Sequence, residues 1–289
     1  MNNTILKKFL ITCFFILFAS LAFTNTLDRV AEEYTEVGIE RALISFTIAR
    51  GLNGVISVAQ GTEFALSPAG VGLTFAPGQI LDPINDLIER FSWVLMVSGS
   101  SLGIQRLFLE ITSSPYISLL FAIFSGLYIF LLWFPGIWQL IKNEKTRDLS
   151  QSILGKSLVL LIFIRFSIPV IALFNEVIYQ QFLQPQFTAA QSNLENTAEQ
   201  IKQLNDVSRE IDKEKNEDIM NQVGQWFDKT KQTLNIEKRI QALKLVVSDM
   251  SHQVINLIVV FVMQTIIFPL MFIWILMQSA KAIMRSFSQ

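Results

Sequence analysis

Few residues in this chain are of a type and spacing that could do chemistry. Gly99-Ser100-Ser101-Leu102-Gly103 fits G-x-S-x-G, the nucleophile elbow of hydrolases, with an apolar run before it and a helical pattern after it. A serine nucleophile needs a base to take its proton. The single histidine, His252, lies far along the chain, with Asp249 one helical turn earlier. A Ser101–His252–Asp249 set at the outer membrane surface is therefore conceivable. Against it, the hydrolase sheet that carries such an elbow needs several βα units, and no such alternation exists here. The same five residues also read as small-xxx-small, a pattern that lets helices approach closely. No catalytic residue is assigned.

Metal and cofactor chemistry have even less to stand on. Cys13 and His252 are the only Cys and His, and a zinc site takes three or four Cys, His or carboxylate ligands. One cysteine cannot form an internal disulfide, so exported parts must be held by packing. Gly70-Val71-Gly72 lacks the later glycine of a phosphate loop. No metal-binding or cofactor-binding residue and no cofactor is expected.

Arg165 is the one cation well inside an apolar span. At the centre of a membrane helix such a residue costs about 2.5–3.5 kcal/mol on insertion scales. The plain reading lets it snorkel to the inner headgroups. A sharper reading turns it toward Gln264 and the Thr265 carbonyl across a contact between helices. Glu176, near the outer end of the same span, reads as interfacial. Transporters usually show more midplane polar groups and repeated halves with broken helices, and no internal repeat is present.

The elements that must position these residues are apolar. Half of the 289 residues are hydrophobic, 24 are phenylalanine, and 16% are charged; soluble domains run near a quarter charged. Positive and negative side chains nearly cancel, so no nucleic-acid partner is expected. Lys7 and Lys8, the apolar run 9–18 and Ala19-Ser20-Leu21-Ala22 make an export signal. Residues 1–22 are either cut after Ala22 or kept as an anchor. Three later stretches, 116–141, 158–182 and 254–278, are long enough to cross a hydrocarbon core of about 30 Å. Each holds a proline, at Pro135, Pro169 and Pro269, which frees the carbonyl four residues earlier and kinks the helix.

Orientation follows from Lys142, Lys145, Arg147 and Lys156 in the loop 142–157, and from Lys281 and Arg285 in the tail 279–289. Short loops rich in Lys and Arg stay in the cytoplasm. Residues 23–115 and 183–253 then lie outside it. A broken apolar stretch at 91–97 and 102–109 would spoil this scheme as a crossing, so it reads as a helix lying in the interface or packed on the spans.

In the first external segment, Leu27, Val30, Tyr34 and Val37, then Ile39, Leu43 and Phe46, predict an amphipathic helix to about Arg50, broken by Gly51 and Gly54. Alternating residues on either side of Ser67-Pro68-Ala69-Gly70 predict a small β-hairpin. Asp82-Pro83 predicts a helix start. In the second, Pro185 marks the end of a span. Leu194, Ala198, Ile201, Leu204 and Ile211 form one apolar stripe, which Lys213–Asp218 interrupts. Ile236, Ile240, Leu243, Val247, Met250 and Val254 form another that steps by four and three into the last span. These stripes could pair as a helical hairpin, with Met220, Val223, Trp226 and Phe227 near its far end, or between subunits.

The expected fold is an all-α integral membrane protein with three transmembrane helices plus the N-terminal signal peptide or anchor, an extracytoplasmic helical stalk of coiled-coil type and a small β-hairpin. The expected partners are the lipid bilayer and a protein, or a second copy, bound through the stalk. The expected setting is a bacterial cytoplasmic membrane. The leading functional expectation is a non-enzymatic scaffold, assembly or signal-relay component. A transport component using Arg165 and a membrane-surface hydrolase using Ser101 are the alternatives.

Overall fold

The computed structural model describes residues 3–60, 64–66, 73–75, 78–140, 144–214 and 225–286, and they are helical almost throughout. In chain order they form α1 (Asn3–Thr24), α2 (Thr26–Gln60), β1 (Phe64–Leu66), β2 (Leu73–Phe75), α3 (Gly78–Thr112), α4 (Pro115–Trp133), a 3₁₀ turn (Pro135–Leu140), α5 (Glu144–Ile178), α6 (Gln184–Glu214), α7 (Gln225–Val262) and α8 (Phe268–Ser286). Single π-helical stretches at Tyr179–Leu183 and Met263–Ile267 join α5 to α6 and α7 to α8 without a break. The two strands pair antiparallel, Phe64 opposite Phe75 and Leu66 opposite Leu73. The Ser67-Pro68-Ala69-Gly70 turn lies outside the described residues, as do Gly70-Val71-Gly72.

By length and composition, five helical stretches could cross a membrane: Ile5–Thr24, Ile80–Thr112, Pro115–Trp133, Ser150–Gln200 and Lys244–Arg285. The expected count of three spans beside the N-terminal segment is not confirmed, because the candidates include one more. The addition is α3, which carries both halves of the apolar stretch split by Gly99-Ser100-Ser101 on one helix of 35 residues. A mid-helix glycine costs only about 1 kcal/mol, and burial of Phe91, Leu95, Leu102 and Leu109 offsets it.

Several proline and glycine readings change as well. Pro135 does not kink a span; it ends α4 and opens the 3₁₀ turn. Pro83 lies inside α3, which begins at Gly78. Pro185 does not stop a helix, because the π turn just before it shifts the hydrogen-bond register where the ring removes a donor. Gly51 and Gly54 sit within α2, in open space.

The chain divides into two compact units, Met1–Ile39 with Ser100–Tyr179 and Gln264–Gln289, and Glu40–Gly99 with Gln180–Met263. The first unit has two apolar cores arranged along α5. Around Leu158 and Phe166, α1 and α4 supply Phe15, Ala22 and Phe121. Around Ile168 and Ala172, α2 supplies Ala31 and Tyr34 while α3 supplies Leu102 and Leu109. Helices α1 and α4 run antiparallel: Thr12 meets Trp133, Phe15 meets Tyr128, and Ala22 meets Ser118. The C-terminal end of α4 therefore lies toward the end of α1 that carries Lys8. Helix α8 packs on α5, with the Phe174 and Phe272 rings stacked at 5.3 Å.

In the second unit α2 and α3 also run antiparallel. Ala42 faces Gly99, and further along, Gln60 Nε2 donates to Asp82 at 2.7 Å. Asp82 therefore ties α3 to the end of α2 instead of capping its own helix. Helix α6 packs on α7, with the Phe187 and Phe261 rings edge to face. Leu194, Met250, Val254 and Leu257 are buried. Ile201, Leu204, Ile211, Ile236, Ile240 and Leu243, and the far-end group Met220, Val223, Trp226 and Phe227, fall where side chains lie outside the described residues, as does most of Lys213–Asp218.

The buried face of α2 is not the one its bulky residues suggest. Val30, Val37, Leu43 and Ile44 are exposed. Ala31, Thr35, Gly38, Ala42, Ser45, Ala49, Leu52 and Ile56 are buried, alternating in steps of four and three. Small residues let a facing helix come close, as small-xxx-small seams do. A Cβ on Gly99 would stand 3.7 Å from that of Ala42, an ordinary contact with little room beyond it. Gly99→Ala should be tolerated, whereas Gly99→Leu should overpack the seam and destabilise by about 1–3 kcal/mol. Thermal unfolding of the purified variants in detergent measures both; equal melting for the leucine variant would contradict close packing here.

Candidate functional site

Two chain reversals in the first unit meet opposite one side chain of α5. Asn25 breaks the helix between α1 and α2 with φ of 49°, a left-handed conformation that asparagine adopts more readily than most residues. It places Asp28 in the first turn of α2, where the helix dipole favours a carboxylate. Ser113 and Ser114 form the second reversal, and Pro115 starts α4 as a residue with no donor to lose. Ser118, one turn into α4, then lies beside Ala22.

Arg165 fills the junction and is fully buried. Its Nη1 and Nη2 donate to the two Asp28 carboxylate oxygens at 2.8 and 2.6 Å, a bidentate pair. Nη2 also donates to the Ala22 carbonyl at 3.0 Å and to Asn25 Oδ1 at 3.1 Å. Nε donates to Ser118 Oγ at 3.3 Å, and that hydroxyl donates to the Ala22 carbonyl at 3.2 Å. All three guanidinium nitrogens are engaged, and Asp28 is as deeply buried as its partner. The cluster is neutral as a pair, and one set of bonds ties α1, α2 and α4 to α5.

Both readings of Arg165 from the sequence are thereby corrected. It does not snorkel, since none of it reaches the surface. Its acceptors are Asp28, Asn25, Ala22 and Ser118, not Gln264 or the Thr265 carbonyl. The missed signal was Asp28. An acid placed directly after an apolar helix of about 20 residues is the natural partner for a lone arginine in another span. The amphipathic pattern of α2 hid it among the solvent-facing acids Glu32, Glu33 and Glu36.

The Thr265 carbonyl has other partners. Pro269 has no N–H to offer it, and the π turn Met263–Ile267 forms at that point. Ser101 Oγ donates to this carbonyl at 2.8 Å, and Gln105 Nε2 approaches at 3.5 Å. The serine of the G-x-S-x-G pattern thus aims its proton at a backbone oxygen and ties α3 to the start of α8. Gln264, beside Thr265, is buried, and its Nε2 has no partner among the described residues.

The remaining candidates are separate. Asp249 and His252 are exposed on α7 in the second unit. Glu176 is half-buried, and Cys13 is free and exposed on α1. Among the described residues no group of three His, Cys, Asp or Glu gathers as a metal site would require.

These features define an all-helical chain with several membrane-length apolar helices, compatible with a multi-pass membrane protein, whose buried polar groups tie helices together. No family model, curated protein or solved structure matches it.

Removing one member of a buried ion pair leaves the other charge uncompensated and costs about 3–5 kcal/mol. Arg165→Leu and Asp28→Leu should each destabilise by that order, and the double variant should recover most of the loss. Unfolding of detergent-purified protein tests this; additive losses would show that the pair is not coupled. Ser101→Ala should cost about 1 kcal/mol, the worth of an interhelical hydrogen bond. Combining it with Gln105→Leu should cost more, because the Thr265 carbonyl then loses both of its side-chain donors.

Proposed function

We propose that this chain is a non-enzymatic, multi-pass component of a bacterial cytoplasmic membrane, acting as a scaffold, assembly factor or signal relay. The α6–α7 pair stands outside the cytoplasm and meets a protein partner or a second copy. One observation carries the reading: residues 225–286 are helical without interruption, and Met250, Val254, Leu257 and Phe261 are buried in steps of four and three. A helix with that register, continuing from a polar segment into a membrane-length apolar one, is suited to linking a contact outside the membrane to a span.

The orientation has support of its own. Because α1 and α4 are antiparallel, the end of α4 returns to the side of Lys7 and Lys8. Lys145, Arg147 and Lys156, which lie on the first turns of α5 and not in a loop, follow soon after, and the rule for basic residues beside span ends puts both groups in the cytoplasm. That arrangement favours an export-type N-terminus.

Transport through Arg165 and hydrolysis by Ser101 each require a side chain that is occupied. The arginine is closed in an ion pair, and the serine proton is committed to a carbonyl.

Crosslinking in native membranes tests the scaffold reading. Leu194→Asp and Met250→Asp place a charge in the α6–α7 contact. Both should remain in the membrane fraction while the crosslinks made by the wild type, to a defined partner or to a second copy, disappear. Crosslinks unchanged in both variants would remove the scaffold reading.

A further inference from the structure

The sequence places an export-signal cut after Ala22. That position is among the most enclosed in the first unit. Ala22 is 1% exposed, and its carbonyl accepts hydrogen bonds from Arg165 Nη2 and Ser118 Oγ. The helix around it runs unbroken from Asn3 to Thr24.

We propose that residues 1–22 are retained in the mature protein as a permanent anchor helix, because the peptide bond after Ala22 is closed to a processing peptidase. Hydrolysis of that bond requires its carbonyl oxygen to enter the peptidase's own oxyanion donors. Here the same oxygen already faces a guanidinium and a hydroxyl. Presenting it would mean unwinding the end of α1 and breaking the junction that joins α1, α2 and α4 to α5.

The rest of α1 is built into the unit in the same way. Phe15 and Ala22 belong to the apolar core with Phe121, Leu158 and Phe166. Phe18 meets the Phe166 ring at 5.0 Å, and Phe15 meets Tyr128 at 5.3 Å. Loss of residues 1–22 would strip Phe15 and Phe18 from that core. It would also leave Arg165 and Ser118 without their shared acceptor. A cleaved signal normally has no such obligations to the protein it leaves. The apolar run 9–18 is short for a span, but the helix from Ile5 to Thr24 reaches about 30 Å at 1.5 Å per residue, enough to cross.

A processing peptidase meets the chain early, so protection depends on the junction closing before the cut. That makes the lock testable apart from the scaffold reading, which concerns α6 and α7. The full chain, with a C-terminal tag, is expressed in a bacterium with an intact export pathway, extracted from membranes and weighed intact. The expected mass includes residues 1–22, as should that of the Ala22→Leu variant, which is heavier only by the substitution and lacks the small residue a peptidase requires. A wild-type population beginning mainly at Phe23 would overturn the proposal. Arg165→Gln and Asp28→Asn should each raise the fraction beginning at Phe23 several-fold. If both stay uncut along with the wild type, retention holds but the junction is not its cause, and that part of the proposal falls. Both masses come from the membrane fraction whatever α6 and α7 bind, so failure here leaves the scaffold reading untouched.

Discussion

The first unit depends on one buried ion pair. Arg165 and Asp28 sit where two chain reversals meet a long helix, and neither charge has water to turn to. A buried charge is tolerable only when it is paired and hydrogen-bonded. That requirement dictates the surroundings: Asn25 must turn the chain so that Asp28 arrives, and α4 must start where Ser118 can reach Nε. The apolar cores on either side of the pair, around Phe166 and around Ala172, are then built from different helices at a fixed level of α5. Apolar packing alone would allow these helices to slide along one another. The bidentate geometry of guanidinium on carboxylate does not.

Elsewhere, backbone groups that a membrane-length helix cannot leave bare shape the structure. Pro269 removes a donor, the helix loosens into a π turn, and a serine from α3 donates to the carbonyl four residues before the proline. Pro185 follows a second π turn, and the helix runs on. Irregular backbone at membrane depth persists only where protein re-satisfies it. Ser101, donating at the Met263–Ile267 turn, follows that rule, and its structural task resembles, in sequence, a catalytic one.

Those structural tasks narrow what the chain could do. Its two best chemical candidates, Arg165 and Ser101, are spent on holding helices together.

Much of this was legible in the residues themselves. Apolar runs of membrane length, the basic side chains in the short connection and the stripes of α6 and α7 follow from local composition and periodicity. The position of Pro269 also identified Thr265, four residues earlier, as the carbonyl the proline would free. What the sequence could not determine was partnership. It did not say that Asp28 would leave its acidic neighbours to join Arg165, or that Ser101 would serve Thr265, since those pairs are separated by 137 and 164 residues. Nor could it reveal that α2 buries its alanines and leaves Val30, Val37 and Leu43 exposed. Side-chain hydrophobicity ranks residues by their preference for water, whereas a close helix contact selects by size. Which preference prevails depends on how near the facing helix comes, and only the tertiary structure decides that distance.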